Sequence, residues 1–522
     1  MDLLPSAHAD TFARDHLPPD HLWPTIEAPD GPDRLNAATE LLRAAPDRPA
    51  LRTPGGEVWT YGELRKRANQ IANLLVDDFG LVPGNRVLLR APNTLGNAAA
   101  WLGVLKAGGI VVATMAAIRA RELAPIIAKT RPRVAIVDPR FVDDVVAAAP
   151  DLPLVTAFPD GRPETFDDVQ TSADDVALLC PTSGSTGAPK ITMHFHRDIL
   201  SIDDTFGRNF LKLTPDDVVA CSAPFAFTFG LGMLVVFPLR AGACSLLTET
   251  VTPVQLADLV EREGVTVLAT APTAYKQILK AGQGSKLAGL RAGVSAGEHI
   301  PQSVWTRLRD EIGLRVIDGI GSTELLHIFI SAAGDDIRPG ATGKPVPGYR
   351  ATILGPDDEE VGPGVEGRLA VIGPVGCRYL DDDRQKAYVV NGWNVTGDTF
   401  LRDEDGYFHY RSRTDNMIVS SGYNIGGPEV EAALDDHPDV VEAAVVARPD
   451  PERGSVVCAF VVLKDGVRKD AEKVAELQDF VKHQLAPYKY PRDVRFIEVL
   501  PRNSSGKLQH FMLRRIVEGT PS

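Results

Sequence analysis

Short apolar runs alternate with amphipathic stretches through most of this chain: NRVLLRAP is followed by NAAAWLGVLKAGG, then by IVVATM, and later by PRVAIVD. A strand that is apolar on both faces must be covered on both, and the amphipathic stretch beside it supplies the cover. The rhythm therefore predicts parallel sheets layered with helices. It returns between residues 251 and 300, where TPVQLADLVEREG reads as a helix starting near Thr252 or Pro253, followed by VTVLATAP and LRAGVSAG. Two doubly wound layers fit in this length.

After about residue 345 the texture changes to short strands punctuated by Gly and Pro (YRATILGPD, EGRLAVIGP, GYFHYRSR), which predicts a small β-rich, barrel-like subdomain. From about 427 an α+β pattern takes over. PEVEAALDDHP and AEKVAELQDFVKHQL read as helices, VVEAAVVARPD and SVVCAFVVL as strands. A chain of 522 residues exceeds what one hydrophobic core sustains. The expected organisation is α/β: a large N-terminal domain over 1–414 and a small α+β C-terminal domain over 415–522.

Apolar residues at 44% and charged residues at 24% are those of an ordinary globular protein. Lys and Arg number 55 against 69 Asp and Glu, a formal charge of −14, which disfavours nucleic acid held by a general basic surface. The runs at 101–118 and 231–247 contain Lys106 and Arg240 and are too short to span a bilayer, so no membrane partner is expected. Five scattered cysteines without a Cys-x-x-Cys pair, and an N-terminus without an apolar signal core, point to a reducing cytoplasm and to no structural zinc.

The decapeptide PTSGSTGAPK, residues 181–190, follows the strand-like VALLC. A Walker-type phosphate nest needs Gly-Lys followed by Ser or Thr at the start of a helix. Here Pro189 precedes Lys190 and Ile191 follows it, and a proline has no N–H to offer that nest. What remains is a loop with Thr182, Ser183, Ser185 and Thr186 as donors, Gly184 and Gly187 as hinges, and Lys190 as a cation. Such a loop suits closing on a triphosphate; a plain surface turn is the competing reading.

This stretch resembles the phosphate loop of the adenylate-forming superfamily of acyl-CoA synthetases, luciferases and peptide-synthetase adenylation domains. The resemblance continues in order along the chain: DGIGSTE (318–324), GWNVTGD (392–398), RSRTDNMIVSSGYNIGGPEVE (411–431) and LPRNSSGKLQH (500–510). It implies ATP, Mg2+ and coenzyme A as cofactor and co-substrates. Joining a carboxylate to the α-phosphate of ATP brings two anions together, and unit charges about 4 Å apart repel by roughly 4 kcal/mol at an effective dielectric near 20. Local neutralisation is required. By resemblance, Lys507 reaches the carboxylate and α-phosphate, Thr323 hydrogen-bonds that phosphate and Glu324 holds the metal.

The same resemblance places ATP against Thr182, Ser183, Gly184, Ser185, Thr186, Gly187 and Lys190. It sets adenine on the backbone of Ala296, Gly297 and Glu298, adds Asp318, Gly319, Ile320, Gly321 and Ser322, and assigns the ribose to Asp398 with Arg413. It makes Asp415 the hinge of a rotating C-terminal domain. In one position Lys507 enters the site; in the other Ser421, Gly422 and Tyr423 line the pantetheine tunnel. His510 stands where many members carry Arg, which leaves any contact from that position open.

GSTELLHIF, PFAFTFGLG (224–232) and SAGEHIP resemble the benzoate and 2-aminobenzoate CoA ligases, and PSAHADTFARDHLPP the 2-aminobenzoate branch. The implied aryl pocket is Phe229, Ala296, Gly321, His327 and Ile328, with His327 a polar contact for the ring or carboxylate. The alternate Phe225, Phe227 and Phe229 also read as one buried face of a strand. The expected activity is an aromatic acid–CoA ligase forming an aroyl-AMP and then aroyl-CoA, AMP and pyrophosphate. An enzyme loading an aryl acid such as salicylate onto a carrier-protein thiol, and a catalytically idle adenylate-binding sensor, are the alternatives. A monomer or homodimer is expected.

Overall fold

The structure, a computed structural model, describes residues 3–519 except 30, 159–160, 183–188, 299, 414–416 and 503–507; the side chains of 412 and 413 are also outside it. The first alternating segment forms a six-stranded sheet in the order Leu154–Val155, Val134–Val137, Arg86–Arg90, Ile110–Thr114, Val176–Thr182, Lys190–Phe195. Its first five strands are parallel and the last returns antiparallel. A nine-stranded sheet carries a parallel centre, Val316–Gly321, Ala292–Ser295, Val267–Thr270, Val218–Cys221, Cys244–Leu246 and Pro49–Arg52, with antiparallel strands at both edges.

Side-chain alternation explains the layering. Val87 and Leu89 of the six-stranded sheet and Val267 and Ala269 of the nine-stranded sheet face a common core, where the helices Tyr61–Phe79 and Leu95–Lys106 lie. Leu88 faces the outer helices through Leu123 and Ile126, and Leu268 does so through Leu256, Tyr275 and Leu308. The helix Pro253–Arg262 starts where its sequence says: Thr252 accepts from Gln255 N–H, and Gln255 accepts from Thr252 in return. No helix among the described residues is long and apolar enough to cross a membrane.

The Gly- and Pro-rich stretch forms an antiparallel five-stranded sheet from Arg350–Leu354, Glu366–Ile372, Val389–Val390, Trp393–Arg402 and Phe408–Arg413. The C-terminal unit is a five-stranded sheet of Met417–Ser420, Tyr423–Gly426, Val440–Asp450, Gly454–Leu463 and Asp493–Phe496. Val445 faces the helices Gly427–Asp435 and Ala471–Gln484, whereas Ala444 and Val446 face Leu513 of the helix His510–Glu518. The division proposed at 414/415 falls among residues outside the description.

One local reading changes. Phe225, Phe227 and Phe229 do not share a strand: the segment is a turn leading into the short helix Thr228–Leu231. Asn93 holds that turn, donating to the Ala223 carbonyl at 3.2 Å and accepting from Phe225 N–H at 2.9 Å. A tertiary hydrogen bond overrides the strand signal of alternate aromatics.

Candidate active site

Both doubly wound sheets end at one place. Thr114, Thr182, Ser222, Thr270, Ala296 and Gly321, each at or just beyond the carboxyl end of a parallel strand, line a cavity of about 860 Å3. Parallel α/β sheets put their ligand crevices at these ends, where loops and helix starts replace strand pairing.

One wall is the loop from Ser322 to His327. Leu326 is buried there at φ 65°, a left-handed conformation that a leucine adopts at a cost of about 1–3 kcal/mol. Its N–H donates to the Thr323 carbonyl, and Leu325 N–H donates to Ser322 Oγ. Thr323 is held from behind as well, since His194 Nε2 donates to its carbonyl at 2.8 Å. His194 is buried beside Asp198, which pairs with buried Arg378 at 2.9 Å.

Glu324 is buried next to this loop. Its Oε1 accepts from Tyr379 Oη at 2.5 Å and from Lys190 Nζ at 3.2 Å, and Lys190 also donates to Tyr379 Oη at 2.8 Å. Burial pushes the Glu324 carboxyl up, but the Lys190 charge and the Tyr379 hydroxyl outweigh it and leave it below its ordinary value. An ionised carboxylate of this kind fits a hard cation such as Mg2+, which would neutralise phosphate charge there. Lys190 is further enclosed by the rings of Tyr379 and Tyr388, 4.9 and 5.9 Å from its Nζ.

One end of the cavity is aromatic. His327 is buried with its ring centroid 4.7 Å from Phe237, 5.4 Å from Phe206 and 5.9 Å from Phe229. Gly232 makes room for it, because a Cβ there would sit 2.4 Å from the imidazole. Burial drives the His327 pKa down to about 3, against a smaller upward pull from the Phe229 backbone, so the ring is neutral. Among the described residues neither ring nitrogen makes a hydrogen bond of good geometry, the Phe229 backbone being the polar group that weakly favours the protonated ring. Phe229, Ala296, Gly321 and Ile328 complete the lining with His327.

The opposite wall comes from the C-terminal unit. Ser421 (φ 50°) and Gly422 (φ 81°) form the two-residue tip of the hairpin Met417–Gly426, the positive-φ pair of a type I′ turn. The tip enters the cavity. A Cβ on Gly297 would lie 3.4 Å from the Gly422 carbonyl oxygen, and Tyr423 stacks on Tyr488 at 4.3 Å beside Phe227. Glu298 receives the Gly422 N–H together with the Thr273 hydroxyl at 2.7 Å, so its carboxylate is committed to the hairpin.

Other expected residues are placed apart. Asp318 shares a strand face with Val316, toward Trp305, and lines a small separate recess; Gly319 and Ile320 precede the cavity on that strand. Register sets buried Asp398 opposite Arg413 on the neighbouring strand. Ser183, Gly184, Ser185, Thr186, Gly187, Asp415 and Lys507 lie outside the described residues. Tyr379, Tyr388, His194, Phe206 and Phe237 join the site without having been singled out. RYL and MHFH carry no pattern that separates them from core, and only the fold brings Tyr379 to Lys190.

Comparison with known proteins agrees with this geometry. The AMP-binding enzyme family matches residues 39–378, and the AMP-binding enzyme C-terminal domain matches 429–507. The benzoate–CoA ligase of Thauera aromatica is 34% identical over 511 residues, covering 92% of this chain and 96% of that protein. The crystal structure of the anthranilate CoA ligase AuaEII with anthranoyl-AMP superposes with a TM-score of 0.72 at 30% identity, covering 94% of this chain and 98% of the other. A benzoate CoA ligase structure from Burkholderia xenovorans LB400 gives 0.69 at 30% identity, with 92% and 99% covered.

Proposed function

Because this chain belongs to the AMP-binding enzyme family and is an AMP-forming acid–thiol ligase using ATP, Mg2+ and CoA, we propose that its acid is an aromatic carboxylate, 2-aminobenzoate first and unsubstituted benzoate second. The observation that carries this reading is His327, a neutral imidazole with one N–H and one lone pair, buried in an aromatic pocket where neither makes a hydrogen bond of good geometry among the described residues. A buried polar group left unpaired costs about 1–3 kcal/mol. An amino or hydroxyl group on the ring removes that cost, and an unsubstituted ring does not.

Around this pocket the remaining groups take the roles their places suit. Lys190 and the loop before it steady the ATP phosphates, Thr323 faces the α-phosphate, Asp398 and Arg413 hold the ribose, and the Ala296–Gly297 backbone faces adenine. The carboxylate oxygen attacks the α-phosphorus and pyrophosphate leaves, with Lys507 neutralising the approaching anions. The CoA thiol then loses its proton, its sulfur bonds to the acyl carbon, and the acyl–phosphate bond breaks to release AMP. The hairpin tip at Ser421–Tyr423 is our assignment for the wall along which the thiol arrives.

The test is a set of competing kcat/KM measurements with 2-aminobenzoate, salicylate and benzoate, each with CoA and with a carrier-protein thiol, repeated for His327→Leu. We expect CoA to be the acceptor and the substituted acids to be preferred by roughly 10- to 100-fold, the ratio that such a cost corresponds to. His327→Leu should narrow that preference. An unchanged ranking, or benzoate ahead in the wild type, removes His327 from substrate recognition.

A further inference from the structure

Among the described residues, one buried ion pair joins the C-terminal unit to the large sheets, and it is built from two helix starts. Glu122 is the third residue of the helix Ala120–Thr130 and accepts from its own Arg119 N–H at 3.0 Å. Glu429 holds the same place in the helix Gly427–Asp435 and accepts from Gly426 N–H at 3.0 Å. Lys489 lies between them, 2.7 Å from Glu122 Oε1 and 2.7 Å from Glu429 Oε2. Glu122 also takes Ala486 N–H at 2.7 Å.

All three side chains are largely buried: 6% of Lys489, 9% of Glu122 and 14% of Glu429 remain exposed. The other ion pairs crossing this boundary, Arg121 with Asp436 and Lys280 with Glu452, are exposed and contribute little. From Lys489 the contact runs inward: Tyr488, next in sequence, stacks on Tyr423 of the hairpin, and the strand Tyr423–Gly426 leads directly into the helix that carries Glu429. Hairpin, helix and the 486–489 turn therefore seat together; on the large-domain side Glu122 is the acceptor for the turn, as Glu298 is for the hairpin tip itself.

We propose that Glu122 is a positioning residue of the thiol-transfer step: by receiving Lys489 and the Ala486 N–H it holds the Ser421–Tyr423 tip inside the cavity. This rests on the reading of that tip as the thiol-facing wall. Glu122→Gln is the informative change, since glutamine still accepts from Arg119 N–H and keeps the helix start while losing the charge that Lys489 needs.

Two half-reactions are measured on the full chain: acid-dependent pyrophosphate exchange into ATP, and single-turnover thioester formation from supplied aroyl-AMP and CoA. Glu122→Gln should slow the second by about 10- to 100-fold and leave the first within about 2-fold. Lys489→Gln should do the same, and the double variant should be no slower than either single one, as partners in one contact behave. Glu122→Asp should recover part of the rate. Equal losses in both half-reactions, no loss, or additive losses in the double variant overturn the assignment of Glu122 alone. If the wild type fails to convert aroyl-AMP with CoA, the acid–CoA reading fails and the proposal falls with it.

Discussion

Burial neutralises two residues of one short segment by opposite routes: it lifts the Asp318 carboxyl to about 7 and drops the His327 imidazole to about 3. For Asp318 the Gly319 N–H opposes the shift without cancelling it. Between pH 4 and 7 the folded carboxyl keeps a proton that the unfolded chain releases, so stability falls as pH rises through that window and the loss is complete above it. Asp318→Asn removes the penalty. Its melting temperature should exceed that of the wild type at pH 8, with the gain shrinking toward pH 4; thermal unfolding at several pH values measures this, and a pH-independent difference contradicts it. Tyr379 acts at the same scale. Tyr379→Phe deletes the hydroxyl that contacts both Glu324 and Lys190; if Glu324 holds the metal as proposed, pyrophosphate exchange should slow by about 10-fold, the usual size for a group supporting a ligand carboxylate. Lys190 and Glu324 are legible in sequence because each stands inside a motif, whereas Tyr379 is 189 positions from Lys190 and gains its role from contact alone.

At the scale of elements, the hairpin Met417–Gly426 shows what local chemistry dictates. Two polar strand ends and a Ser-Gly pair demand a tight turn, and glycine occupies the φ of 81° at the second place. A Cβ on Gly422 would also press on Ala271 at 3.2 Å. Gly422→Ala should therefore slow thioester formation from aroyl-AMP by about 10-fold or more, by the cost of a left-handed alanine in a crowded site, while pyrophosphate exchange holds. Equal slowing of the two would remove the hairpin from the thiol path. The helix at Pro253 was readable for the same local reason, its Thr-Pro-x-Gln start satisfying its own N–H groups. The Phe225–Phe229 segment was not, because Asn93, far away in sequence, shapes it.

At the scale of the molecule, one active site has to serve two reactions, and the hairpin tip occupies its mouth in the arrangement described here. If Lys507 serves the first reaction alone, Lys507→Ala should slow pyrophosphate exchange by about 10²–10³, the usual effect of deleting one preorganised charge stabiliser. Thioester formation from supplied aroyl-AMP should survive. Equal loss in both would mean that one arrangement of the two units carries the whole cycle.

Local order in the chain determined the layered α/β plan, the change to short antiparallel strands after 345, the α+β unit at the end and the ordered motifs that place Thr323, Glu324 and Asp398. The layered plan and the two later textures follow from side-chain period, turn residues or capping within a few positions, whereas the motif residues follow from resemblance to the family. Tertiary structure alone decided that the carboxyl ends of two separate sheets meet at one cavity, that His327 is buried among aromatic rings, and that Glu122, Lys489 and Glu429 converge between two units. These are contacts between segments from 60 to 367 positions apart, and their energies come from burial and pairing that exist only once the layers have packed.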